Sequence, residues 1–105
     1  MMKVKSINEN DFEGEVINHE GKVLVDFYSE TCPPCKMMAP IVDQVAEELS
    51  DTLKIVKIDA SENHSLAEKY QVNSVPAFLL IEDGVTKKST SGVMPPAQLK
   101  RWMEV

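Results

Sequence analysis

The sequence predicts an α/β fold in which a mixed central β-sheet is flanked by helices on both faces. Three observations carry this expectation. Segments with helical apolar spacing alternate with short apolar runs along the whole chain. Two of those runs, Lys22 to Tyr28 (KVLVDFY) and Ala77 to Ile81 (AFLLI), are apolar on both alternating faces, as strands covered from both sides must be. The element order β-α-β-α-β-α-β-β-α puts parallel crossovers first and a hairpin last, which requires strands of both directions in one sheet. With 105 residues and 43% hydrophobic content the chain can fill one core but not two, so residues 1–105 are expected to form a single domain.

The elements follow in order. Val4 to Ile7 reads as a short first strand. Asn10 or Asp11 can cap a helix that buries Phe12, Val16 and Ile17, and Glu20-Gly21 is a turn. Lys22 to Tyr28 is the central strand, and Asp26 is its one offence against burial. After Cys32-Pro33-Pro34-Cys35, the residues Met37, Met38, Ile41, Val42, Val45, Ala46 and Leu49 predict one long amphipathic helix with both methionines in the core. Pro40 should kink it, because proline lacks the backbone donor and crowds the preceding turn. Leu53 to Ile58 is the next strand, Ser65 to Tyr70 a short helix, and Ala77 to Ile81 a buried strand. Glu82-Asp83-Gly84 turns the chain into an edge strand over Thr86 to Ser91. Pro95-Pro96 opens a last helix with Leu99, Trp102 and Met103 inward.

Charge and cysteine content narrow the function. Eleven Lys+Arg against 17 Asp+Glu give a net charge of -6, which works against nucleic acid or an anionic membrane as partner. The opening segment Met1 to Asn10 has no apolar run of signal-peptide length, and a cytoplasmic location is expected. The 2 cysteines close too small a loop to staple a fold. In a reducing compartment such a pair points to redox chemistry or to metal binding.

For redox chemistry the setting is favourable. A thiolate attacks a disulfide, and both the positive end of a helix and the nearby Lys36 favour a thiolate at Cys32. Cys35 on the first turn could then attack Cys32 in an intramolecular step. For metal binding, His19 and His64 would have to complete a Cys2His2 zinc set with the cysteines, and they are not the closely spaced second pair such sites use. No metal and no cofactor are expected.

The segment VLVDFYSETCPPCKMMAP, from Val23 to Pro40, resembles the active-site region of the thioredoxin family, and the resemblance continues through Lys57, the SVPAFLL segment around Pro76, and Gly92. It implies the thioredoxin fold and a thiol:disulfide oxidoreductase, an enzyme that reduces protein disulfides. Cys32 would be the attacking thiol and Cys35 the resolving thiol. Asp26 would be a buried acid beneath the pair that exchanges a proton with Cys35, and Lys57 would pair with Asp26 and limit the rise in its pKa. The Val75-Pro76 bond would be cis and face the cysteines, with the Val75 backbone offered to an extended substrate segment. Thr31, Pro33, Pro34, Val75, Gly92, Val93 and Met94 would form the docking surface. The family also implies disulfide-containing protein substrates and re-reduction by an NADPH-dependent flavoprotein, thioredoxin reductase; a monomer is expected.

The sequence departs from the family pattern beside the first cysteine. Thr31 and Pro33 stand where tryptophan and glycine are usual, Tyr28 replaces a tryptophan, and Ala77 a threonine. Relatives with proline directly after the first cysteine tend to be more oxidising, so a potential above that of ordinary thioredoxin is expected. The alternatives are a thiol oxidase or isomerase and, from another class, a redox-inactive interaction module or metal-binding domain.

Overall fold

The computed structural model describes residues 4–49 and 51–104. Its strands are β1 (Val4–Ser6), β2 (Lys22–Tyr28), β3 (Lys54–Asp59), β4 (Ala77–Glu82) and β5 (Val85–Ser91), and its α-helices are α1 (Pro33–Leu49), α2 (His64–Lys69) and α3 (Pro96–Met103). The strands form one sheet in the order β1-β3-β2-β4-β5. β1 and β2 run parallel to β3, β4 runs antiparallel to β2, and β5 closes the sheet as the second arm of a hairpin. This is the thioredoxin fold with its mixed sheet.

Period-two alternation decides what each face carries. Val23, Val25 and Phe27 of β2 point to one side, where they pack with Phe12, Val16 and Leu66. Leu24 points to the other, with Met38, Val42, Leu99 and Met103 from α1 and α3. β2 and β4 therefore carry apolar residues on both faces, Asp26 apart. Asp26 lies on the Leu24 side, beneath α1. β5 reads VTKKSTS and is largely exposed, as suits an edge that must not recruit a further strand.

Three expectations change. The segment after β1 is no α-helix: a 3-10 turn (Glu9–Asp11) leads into a single π-helical turn (Glu13–Ile17). Gly14 and the shortness of the stretch leave little intrinsic helix preference, so burial of Phe12 and Val16 shapes the backbone. The cap is Asn8, not Asn10 or Asp11; its side-chain oxygen accepts the backbone N–H groups of Asn10 and Asp11 at 2.9 and 3.3 Å.

Met37 is the third correction. It is 61% exposed, whereas Met38 is 1% exposed. Met38, Val42, Val45 and Ala46 repeat at helical spacing and own the inward stripe, and a residue one position earlier is rotated about 100° away from it. α1 itself is one helix that contains Pro40, not two. Pro40 stands on its exposed side.

The hairpin between β4 and β5 turns at Asp83 and Gly84, with φ of 51° and 82°. Two successive positive φ values match the right-handed twist of the arms. The turn is docked on the Gly21 turn, where the Gly21 N–H donates to Asp83 Oδ1 at 2.8 Å and the Asp83 N–H donates to the Gly21 carbonyl at 3.1 Å.

Candidate active site

β2 ends at Tyr28 and α1 begins at Pro33, so the cysteines sit where the central strand hands over to a helix. Pro33 and Pro34 occupy first-turn positions whose N–H groups would have no partner inside the helix, and proline is tolerated there. The Lys36 N–H donates to the Cys32 carbonyl at 3.1 Å, which sets Cys32 at the cap. Cys32 and Cys35 are joined as a disulfide with their Cα atoms 5.2 Å apart. Cys32 is half-buried and Cys35 is buried. The Cys35 N–H donates to Cys32 Sγ at 3.2 Å. A sulfur that accepts a helix N–H is better placed to carry negative charge.

Across the gap, the Val75 carbonyl oxygen lies 3.6 Å from Cys32 Sγ, and the Val75-Pro76 peptide bond is cis. The Gly92 N–H donates to the Pro76 carbonyl at 2.9 Å, which brings the loop after β5 to the same place. Thr31, Pro33, Pro34, Gly92 and Val93 are exposed, Val75 is half-buried and Pro76 buried. Met94 does not join this surface. It is 5% exposed and its N–H donates to Met38 Sδ at 3.2 Å, so the exposed rim ends at Val93.

Beneath the pair lies a pocket of about 180 Å³ whose walls include Asp26, Tyr28, Cys35, Lys36, Asp43 and Lys57. Asp26 is buried, and among the described residues its Oδ1 has no hydrogen-bond partner. Burial pushes its pKa up to about 7, with the Lys57 charge opposing the rise and the Asp43 charge adding to it. Such a carboxyl holds or releases a proton at neutral pH. The expected Asp26–Lys57 ion pair is not formed. The two residues are register neighbours on β2 and β3, but the Lys57 ammonium lies over the Tyr28 ring, 5.5 Å from its centroid. Lys57 therefore acts on Asp26 through space.

Sequence reasoning left out Asp43 and Glu30, which also line the pocket. For Asp43 a signal existed: Lys36, Ala39 and Asp43 recur at helical spacing and so share one side of α1 with Cys35 and Val42. Among the described residues no three His, Cys, Asp or Glu side chains gather as a metal site. None of the described helices is long and apolar enough to cross a membrane.

A family model described as Thioredoxin matches residues 3–105. The chain belongs to the thioredoxin family. It is similar to a thioredoxin of Haemophilus influenzae, 37% identical over 103 residues that cover 98% of this chain and 96% of the relative. Thioredoxin 1 of Synechococcus elongatus is 34% identical over 104 residues, covering 99% of this chain and 97% of the relative. Thioredoxin Y2, a chloroplastic protein of Arabidopsis thaliana, is 41% identical over 95 residues, which cover 90% of this chain and 57% of the relative. Family membership and the Cys-x-x-Cys pair at disulfide distance make the chain a thiol:disulfide oxidoreductase.

Proposed function

We propose that the chain reduces protein disulfides, with Cys32 as the attacking and Cys35 as the resolving thiol. The observation that carries this division is the unequal burial of the two cysteines at one helix end. The half-buried Cys32 can meet a substrate, and the buried Cys35 can meet little but Cys32. The Cys32 thiolate attacks one substrate sulfur; that S–S bond breaks, a mixed disulfide forms, and the other substrate sulfur leaves as a thiolate. Cys35 then loses its proton and attacks Cys32 Sγ, which expels the second substrate thiolate. The substrate gains two electrons and the chain is left oxidised. Asp26, in the pocket below Cys35, is the base for that proton, and Lys57 moderates its charge.

Recognition is assigned to the rim. An extended substrate segment pairs with the Val75 backbone beside Pro76, while Thr31, Pro33, Pro34, Gly92 and Val93 give it a small, weakly selective surface. The oxidised chain would be re-reduced by an NADPH-dependent flavoprotein reductase. We place this activity in residues 1–105 acting as a single domain, in a cytoplasmic monomer serving electron transport and cell redox homeostasis.

The test is reduction of insulin by dithiothreitol. Catalysed precipitation should survive metal chelation and vanish in Cys32→Ser. Activity that persists in Cys32→Ser, or that chelation abolishes, refutes the reading.

A further inference from the structure

Asp26 and Lys57 face each other across β2 and β3, yet no ion pair joins them. A buried carboxylate with a free oxygen ordinarily draws a neighbouring ammonium into contact. Something must hold Lys57 elsewhere. The side chain two residues beyond Asp26, on the same side of β2, is Tyr28, and its ring carries the Lys57 ammonium at 5.5 Å from the centroid. Asp26, Tyr28 and Lys57 all line the one pocket under Cys35.

We propose that Tyr28 is a positioning residue: its ring holds the Lys57 ammonium out of contact with Asp26, so the carboxyl beneath the cysteines stays available to carry a proton. The inference rests on the proton-transfer role given to Asp26 above. The residue that departs from the family pattern at this position would thus tune the acid by way of Lys57. The other titratable or charged groups around the pocket are Cys35, Lys36 and Asp43 from α1 and Glu30 from the loop before it. Of these, Asp43 bears on Asp26 in the same sense as burial, against Lys57. The Tyr28 phenol is itself pushed above its ordinary value by burial and stays neutral, so its ring is an uncharged partner for the lysine.

The test uses NMR on the full-length oxidised protein, with no substrate present. In the native chain the Lys57 ε-methylene protons should show an upfield ring-current shift; its absence overturns the proposal without any variant. The Asp26 carboxyl carbon is then titrated in the native chain, in Tyr28→Leu, in Lys57→Met and in the double variant. Losing Lys57 should raise the Asp26 midpoint, and should raise it more in the Tyr28→Leu background, by half a pH unit or more, because the released lysine has moved onto the carboxyl. An equal or smaller effect in that background overturns the proposal. Tyr28→Phe keeps the ring and should titrate like the native protein. Because the readout needs no catalysis, it stands apart from the insulin assay, whose failure would instead remove the disulfide-reductase reading to which the Asp26 proton transfer belongs.

Discussion

Asp26 links the chemistry of the site to the stability of the chain. Its pKa rises from 3.8 to about 7 because burial penalises the charged form. The folded state therefore keeps a proton that the unfolded state gives up between about pH 4 and pH 7. Stability is greatest below that window, falls as pH rises through it, and is level above it. At about 1.4 kcal/mol per pH unit of separation, the loss reaches the order of 4 kcal/mol. Asp26→Asn cannot ionise, so it should be more stable than the native protein at pH 8, and denaturant titration should find the gap closing toward pH 4. If the gap does not change with pH, the buried acid is not the origin. At the same scale, Cys35→Ser should leave Cys32 in a stable mixed disulfide with a substrate, visible as a mass adduct that dithiothreitol removes. The cysteines and Asp26 were legible because each breaks a local pattern: two thiols beside a helix start, a carboxylate in an apolar strand. Lys57 was legible as a neighbour and not as a conformer, since a long side chain chooses between a carboxylate and an aromatic face by packing that no spacing rule encodes.

Among the elements, the hairpin and the last helix secure the side of the sheet away from β1. A Cβ on Gly84 would stand 2.9 Å from the Ile17 carbonyl oxygen, at a φ of +82° that side chains rarely adopt. Gly84→Ala should cost about 1–3 kcal/mol and be read directly as a lower Tm. Lys88 reaches from β5 to the end of α3, where its ammonium donates to the carbonyls of Trp102 and Glu104 at 2.7 and 3.0 Å. A cation there meets the negative end of the helix as well as two carbonyls without helical partners. Lys88→Met should destabilise the chain by about 1 kcal/mol, with α3 amides exchanging faster; unchanged exchange would mean that the contact is idle. Strands β2 to β5 and helices α1 and α3 could be read from periodicity because burial on a fixed face imposes it. The turn between β1 and β2 could not. Its Asn8-to-Asp11 spacing is a capping signature, but Gly14 and a stretch of a few residues leave the kind of helix to the core.

For the molecule as a whole, the potential of the cysteine pair and the stability of the chain are one thermodynamic cycle. A pair that is easily reduced belongs to a fold that gains little from its disulfide. Pro33 stands directly after Cys32, where it fixes its own φ. Sequence resemblance places proline at this position with more oxidising behaviour. Pro33→Gly should therefore lower the potential measured against glutathione, and the same change should widen the Tm difference between oxidised and reduced protein, with about 30 mV matching about 1.4 kcal/mol. An unchanged potential would move the origin away from Pro33. The fold class was legible at this scale because β2, Asp26 apart, and β4 carry apolar residues on both alternating faces, which only a sheet covered on both faces explains.

The strand order carries a consequence for how the chain is made. Among the described residues β1 pairs with β3 alone, with Val4 opposite Ile55, and β2 lies between β3 and β4. During synthesis from the N-terminus, β1 emerges before its partner strand and must wait until residues near Asp59 have left the ribosome. The sheet cannot close before Glu82 follows. Only the hairpin of β4 and β5, joined by a tight turn, can form from neighbours in sequence, so vectorial synthesis delivers the locally folding part of the sheet last.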